Sequence, residues 1–459
     1  MIEKFLKNKI ISCLPFIPNA GQELLLDSIS QFLFTSDERP VFVLRGYAGT
    51  GKSSIVGALV KALHLLEQNC ILLAPTGRAA KVLAKYSGYP AFTIHKCIYR
   101  RDNATGEQFS LGWNKCSNTL FIIDEASMIS ADRDNQTFGT GSLLDDLIQY
   151  VFQQNGNRLL LLGDDAQLPP VGHNDSPALN SEFLKGYGLS VTDGYLTEVA
   201  RQAGDSGILL DATAVRSGNI DIAEQADVHW MEAQDMVESI ERSYQEVGMA
   251  DTLIITRSNW RTNMYNNGIR SQILWKEELL SGGDRIMVSR NNYYWTEQYE
   301  GLPFLANGDM MEVQRLHNER ELYGYHFVDA QLRSLDYDWE IDVLIWLDTL
   351  STDTPEKSYL MQRDLYSKIA EDYPEIHNRK DLHEKIVSSP YYNALQIRYA
   401  YAVTCHKAQG GQWKHIYIDR GPLNPEVDQN NPSVKIEEQR WLYTALTRAT
   451  EKVFLLKYK

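Results

Sequence analysis

At 459 residues the chain has room for roughly two to four domains. Its 43% hydrophobic and 23% charged residues are ordinary globular values, and no apolar run approaches the roughly 20 residues of a membrane span, so no membrane partner is expected. The net charge of −15 is acidic for a nucleic-acid partner, but it is unevenly spread: residues 221 to 251 hold nine carboxylates and one Arg, whereas residues 398 to 459 hold ten Lys/Arg and six Asp/Glu. Binding responds to the local potential of a groove, so the total does not exclude a DNA or RNA track. The acidic stretch reads as a solvated helical surface. The cysteines, Cys13, Cys70, Cys97, Cys116 and Cys405, are odd in number and lack C-x-x-C spacing. They argue against a disulfide framework or a zinc site and point to a reducing, cytoplasmic setting. Pro15 interrupts the early apolar patch, and no clear cleavage site follows, so a signal peptide is not expected.

In chain order, residues 19 to 34 show helical spacing of Leu25, Ile29, Phe32 and Leu33, with Gln22 near the start. A Gln amide can both donate to and accept from a base edge, although alone it reads as solvated. Val41-Phe42-Val43-Leu44 is a strand, and it runs into Gly46-Tyr47-Ala48-Gly49-Thr50-Gly51-Lys52-Ser53, which fits G-x-x-x-x-G-K-[ST] ahead of a helix. In such a loop, backbone N–H groups turn onto phosphate oxygens, Lys52 adds a mobile cation and the Ser53 hydroxyl can ligate Mg2+. Cys70-Ile71-Leu72-Leu73-Ala74 reads as a buried parallel strand ending in Pro75-Thr76-Gly77-Arg78. Strand ends of open α/β sheets bind ligands, so Thr76 and Arg78 can meet phosphates. Thr93-Ile94-His95 alone would be a turn with an incidental His. An insert at about 97–118 reads as a small hairpin or loop. The strand through Ile122-Ile123 ends in Asp124 and Glu125, one carboxylate for Mg2+ and one to orient or deprotonate water. A third strand, Leu159-Leu160-Leu161-Leu162, leads to Gln167, whose amide could contact a γ-phosphate.

A second α/β unit follows. Thr252-Leu253-Ile254-Ile255-Thr256 is strand-like, and the run 397–404 reads as a strand leading into Cys405-His406-Lys407-Ala408-Gln409-Gly410. Strand 415–419, helix 441–448 and strand 453–456 complete it. Between them, short runs separated by Gly, Asn and Asp turns predict a small β-barrel, and residues 355 to 389 are charged and helical, as a structural arm would be. The expected divisions are a lead at 1–18, a first domain at 19–193, a second at 194–281 plus 395–459, and an insertion at 282–394.

The P-loop, Asp124-Glu125-Ala126-Ser127, Gly163-Asp164-Asp165-Ala166-Gln167-Leu168-Pro169-Pro170, Thr404-Cys405-His406-Lys407-Ala408-Gln409-Gly410 and Tyr443-Thr444-Ala445-Leu446-Thr447-Arg448 together resemble motifs I, II, III, V and VI of the superfamily 1B DNA helicases, RecD-type and phage Dda-like. The resemblance implies an α/β fold of two RecA-like P-loop domains with parallel sheets, the second interrupted by the barrel and the helical segment. It makes Gln22 the adenine reader and Lys52, Ser53, Asp124 and Glu125 the ATP and Mg2+ group, with Gly46, Ala48, Gly49, Thr50, Gly51, Ser54 and Gly410 also at the cofactor. Gln167 becomes the γ-phosphate sensor. Leu196-Thr197-Glu198-Val199-Ala200-Arg201-Gln202 resembles motif IV, so Arg201 and Arg448 become arginine fingers, planar cations that stabilise charge on the transferring phosphoryl group. Pro75, Thr76, Arg78, Thr93, His95, Thr404, His406 and Lys407 fall where such helicases meet the single strand. Two departures stand out. Residues 130–141 form a polar, Gly-containing interruption where relatives proceed quickly into a helix, and residues 355–389 match the Dda arm only in place. No additional DNA-binding domain is expected ahead of Gln22.

The activity implied is ATP- and Mg2+-dependent movement 5′ to 3′ along single-stranded DNA with unwinding at duplex junctions, by a chain that is monomeric in its minimal form. The alternative is a DNA-stimulated ATPase translocase that remodels protein–DNA complexes without strand separation. A non-motor reading, a P-loop kinase or a nucleotide-gated binding module, has no need of a second half bearing Arg201 and Arg448.

Overall fold

A computed structural model describes residues 2–101, 109–133, 138–199, 206–296, 299, 304–337, 339–352, 354–421 and 431–458. The chain divides into two compact units: Met1–Trp230, Ala408–Lys414 and Pro422–Phe454 form one, and Met231–Lys407, His415–Gly421 and Leu455–Lys459 the other.

The first unit is built on strands β1 (Pro40–Gly46), β2 (Cys70–Ala74), β3 (Ala91–Thr93), β6 (Leu120–Ile123), β7 (Arg158–Gly163) and β8 (Ser190–Leu196), in the order β3-β2-β6-β7-β1-β8. Every adjacent pair is parallel. The central strands are continuous apolar runs because both faces are covered: Val41 to Leu44 and Leu159 to Leu162 are all fully or almost fully buried. Helices α1 (Ile2–Cys13), α2 (Ala20–Leu33), α3 (Lys52–Leu65) and α4 (Gly77–Ser87) supply Leu6, Ile10, Leu26, Ile29, Ile55, Leu59 and Leu83 to the same core. Each such side chain contributes about 1.5–3 kcal/mol on burial. Thr76 caps α4 by accepting from the Ala79 amide, and Gly88 closes it in the left-handed region at φ 77°. Between β3 and β6, within the insert expected to be a hairpin or loop, β4 (Tyr99–Arg101) and β5 (Phe109–Leu111) pair antiparallel.

The polar interruption after the Asp124-Glu125 pair conceals an apolar anchor. Phe138 is buried against Tyr99 and Phe109 at 4.9 and 5.1 Å between ring centroids. Asp146, fully buried, accepts from the Tyr99 hydroxyl at 2.7 Å and from the Thr140 amide, and so ties the interruption to the helix Leu143–Val151.

Further along lie β9 (Val228–Met231) and β10 (Thr252–Thr256), the barrel strands β11 (Arg285–Val288), β12 (Met310–Leu322), β13 (Tyr325–Ser334), β14 (Glu340–Trp346) and β15 (Leu395–Tyr399), and then β16 (Ala402–Thr404), β17 (Trp413–Asp419) and β18 (Ala449–Leu456). A second sheet runs β16-β10-β17-β18-β9, and β10 pairs parallel with β16 and β17. The barrel closes β11-β12-β13-β14-β15, antiparallel except for β14 with β15.

The run 397–404 is two strands rather than one: its first part closes the barrel and its last part joins the sheet. Buried Asn266 makes the break. Its Oδ1 accepts from the amides of Tyr401 and Ala402 at 3.0 and 2.8 Å, and its Nδ2 donates to the carbonyls of Tyr399 and Ala402. The amide side chain thus satisfies backbone groups that leave one ladder before entering the next. At the base of β11, Asp284 is fully buried and accepts from Arg270, Lys276 and Tyr401. Those partners hold its carboxyl below the usual range despite desolvation.

The arm consists of helices Pro355–Ala370 and Arg379–Val387. Leu365, Ile369 and Ile386 pack in one cluster with the strand residues Phe327, Leu344 and Trp346. Among the described residues, no helix is long and apolar enough to cross a membrane.

Candidate nucleotide and nucleic-acid sites

A cleft of about 1670 Å³ in the first unit is lined by Gln22, Tyr47, Ala48, Gly49, Gly51, Lys52, Ser53, Ser54, Asp124, Glu125, Asp164, Gln167, Glu198 and Arg448, among others. The P-loop turns through Gly49 and Gly51, at φ 75° and 89°, where only glycine is unstrained. Gly51 is also the N-cap of α3 and offers no side-chain cap, so the first amides of that helix are left to an anion. A Cβ on Gly51 would meet Gln22 Nε2 at 2.7 Å. Lys52 Nζ donates to the carbonyls of Gly46 and Tyr47, and Thr50 is fully buried, its hydroxyl donating to Tyr47 O.

Gln22 is placed by a capping box. Its Oε1 accepts from the Asn19 amide at 3.1 Å while Nε2 donates to Thr50 O at 3.0 Å. The amide reaches the P-loop with both ends engaged, so reading a base edge requires exchanging one of these bonds.

The carboxylates lie at the ends of β6 and β7. Asp124 Oδ1 accepts from the Glu125 amide at 2.8 Å, and Oδ2 accepts from the Tyr86 hydroxyl. Glu125 is a non-glycine residue at φ 52°, opening the short turn Ala126–Met128. Burial pushes its carboxyl above the ordinary range, with Arg448 pulling the other way. The guanidinium stands 3.8 Å from Glu125 and is steadied by the carbonyls of Thr444 and Gly411. Asp164, raised by burial, accepts from Tyr443 at 2.7 Å. The same Tyr443 oxygen accepts from the Ala48 amide at 2.8 Å, so one phenol joins the P-loop to the end of β7. Gln167 is buried at the cleft wall, and among the described residues its Oε1 has no partner. An orphaned buried acceptor costs about 1–3 kcal/mol and calls for a hydrogen-bond donor such as a water. The uncapped amides, Lys52 and Arg448 fit a polyphosphate, and a Ser53 hydroxyl with an Asp124 carboxylate fits the oxygen preference of Mg2+.

Two of the residues expected at the cofactor lie elsewhere or beyond view. Gly410 packs at the start of α4, where a Cβ would approach Ala79 Cβ at 2.9 Å and Thr76 Oγ1 at 3.3 Å. Arg201 lies outside the described residues. Asp164, Tyr443 and Tyr86 were not assigned roles by sequence reasoning. Asp164 shares the strand-end position of Asp124, and Tyr443 opens the segment that resembles motif VI, whereas nothing local marks Tyr86.

Of the residues expected at single-stranded DNA, five belong to the first unit. Pro75 and Thr76 join β2 to α4. Arg78 stacks 4.2 Å over the Trp413 ring and donates to Gln412 O. Thr93 caps the next helix through the Lys96 amide. His95 sits against Tyr99 and Phe138, and burial lowers its pKa to about 4, so the ring is neutral. Thr404, His406 and Lys407 cluster in the second unit at and just after β16, where Lys407 Nζ donates to Asn307 Oδ1 at 2.6 Å.

Comparison with known proteins places this geometry among related chains. The AAA domain family matches residues 29–242, and the UvrD-like helicase C-terminal domain family matches residues 399–456. The chain is similar to an uncharacterized protein of Acanthamoeba polyphaga mimivirus, at 23% identity over 95% of this chain and 99% of that protein. It is 25% identical to the ATP-dependent DNA helicase dda of Enterobacteria phage T4, covering 90% of this chain and 93% of that one. Similarity to the ATP-dependent RecD2 DNA helicase of Deinococcus radiodurans is 32% over 34% of this chain and 20% of that enzyme.

Proposed function

We propose that this chain, a member of the superfamily 1B DNA helicases, uses ATP hydrolysis to move 5′ to 3′ along single-stranded DNA and to separate duplex at junctions. The observation that carries the reading is the convergence of Lys52, Glu125, Gln167 and Arg448 on one cleft, in a chain similar over 90% of its length to a phage DNA helicase. The P-loop amides and Lys52 bind the phosphates, and Gln22 faces the base. Ser53 and Asp124 would hold Mg2+, which would supply charge to offset that of the phosphate oxygens. Glu125, whose carboxyl burial holds above its ordinary range, accepts the proton of the attacking water. Arg448 stabilises charge on the transferring group, with Arg201 proposed as a second cation. Gln167 senses the terminal phosphate. Pro75, Thr76, Arg78, Thr93, Thr404, His406 and Lys407 contact the strand through phosphate and sugar, which suits movement independent of sequence. For His95 the neutral, packed ring supports positioning of the Thr93 turn more than stacking on a base.

ATPase rates measured with and without single-stranded DNA, together with strand displacement on 5′-tailed and 3′-tailed duplexes, test the proposal. The expected result is DNA-stimulated hydrolysis, displacement of the 5′-tailed substrate, and loss of both in Lys52→Ala. Hydrolysis indifferent to DNA would refute the motor, and preference for the 3′ tail would reverse its direction. Stimulated hydrolysis without displacement would favour a translocase that remodels protein–DNA complexes.

A further inference from the structure

From α4, Tyr86 reaches Asp124 and Ser53. Its hydroxyl donates to Asp124 Oδ2, and the Ser53 hydroxyl is its other hydrogen-bonding neighbour. Since Asp124 Oδ1 already accepts from the Glu125 amide, both carboxylate oxygens are engaged. The phenol therefore stands between the two groups that would hold Mg2+. Its seat is built by packing: Gly57 lies one turn beyond Ser53 on α3, and a Cβ there would come within 2.9 Å of the Tyr86 carbonyl. Only glycine lets the end of α4 come so close. Two residues past α4, Tyr89 stacks on His64 of α3 at 3.8 Å and 8° between planes, which fixes the same junction from its far side.

We propose that Tyr86 is a displaceable plug of the metal position. Its hydroxyl occupies the hydrogen-bonding capacity of Ser53 and Asp124 while no metal–nucleotide is bound, and it must release Asp124 when one enters. Tyr86 is a positioning residue, acting through Asp124 rather than on the phosphates. The inference rests on the assignment of Ser53 and Asp124 to Mg2+. It adds an internal competitor that sets how strongly Mg2+ tightens nucleotide binding, and it places that competitor on the helix capped by Thr76, whose first turn carries Arg78. A carboxylate that must first give up a charge-assisted hydrogen bond binds its cation more weakly, and the effect of one such bond is about tenfold.

The test is the affinity of the full chain for a fluorescent ADP analogue, titrated with Mg2+ and again with EDTA. In Tyr86→Phe, which keeps the ring and removes the hydroxyl, the ratio of the two affinities should rise about tenfold over the parent, with the EDTA value unchanged. Tyr86→Leu repeats the measurement, and a thermal melt of each variant confirms folding. An unchanged ratio would overturn the plug, and a smaller ratio would show that the hydroxyl supports the metal instead. If the parent chain itself binds the analogue with no dependence on Mg2+, the metal assignment fails and the plug with it, a result distinct from an effect confined to the variants.

Discussion

Glu125 combines a left-handed backbone, a largely desolvated carboxyl that stays partly exposed, and a guanidinium 3.8 Å away. A non-glycine residue at φ 52° is held there by its surroundings, since such conformations cost about 1–3 kcal/mol. A general base must be ionised to accept a proton, so a carboxyl raised above its ordinary value shifts the acid limb of the ATPase rate to higher pH. Arg448 opposes that rise. Arg448→Gln should therefore do two things: lower kcat by roughly 10³-fold, as for other arginine fingers, and move the acid limb of kcat further up in pH. The pH profile under saturating ATP reads both. A rate loss with an unmoved limb would mean that Arg448 does not act on Glu125. At this scale the sequence was informative where chemistry follows a strand end. Asp124, Glu125 and Gln167 were legible because β6 and β7 are unbroken apolar runs. Tyr86 was not, because its partners are set by helix packing that no local pattern encodes.

Among the elements, buried parallel strands and the P-loop helix follow directly from hydrophobic runs and glycine placement. The division of 397–404 does not, because Asn266, far away in sequence, supplies the hydrogen bonds that allow a strand to change sheets. The arm lies between these cases. Its charged, tyrosine-containing sequence signalled helices, but its anchoring is tertiary: Leu365 and Ile386 are fully buried against Phe327 and Trp346 of β13 and β14. Leu365→Ala should cost about 2–5 kcal/mol. The loss should appear as a lower unfolding midpoint in denaturant, while nucleotide affinity at the P-loop, which belongs to the other unit, stays at the parent value. A loss under about 1 kcal/mol would place Leu365 at a site that collapses freely or is already wet.

On the scale of the whole molecule, an acidic chain is read as a nucleic-acid motor because charge acts locally. The carboxylate-rich stretch 221–251 includes the helix Met236–Glu246, which buries only Met236, Ile240 and Ser243, in keeping with a solvated face. The cationic positions assigned to the strand are few and individually placed. Lys407 is one of them: it sits one turn beyond β16, and its ammonium is oriented by Asn307 from the loop that enters β12. Each phosphate a protein neutralises releases counterions, and for single strands the slope of log K against log salt changes by about 0.7 per contact. Lys407→Ala should therefore weaken binding of a single-stranded oligonucleotide at low salt and flatten that slope by about 0.7, measured by fluorescence anisotropy across a salt series. Weaker binding with the slope intact would mean that Lys407 supports the barrel loop through Asn307 rather than meeting a phosphate. Asn307→Ala separates the two roles, because it removes the orienting bond and keeps the charge, so it should preserve most of the slope.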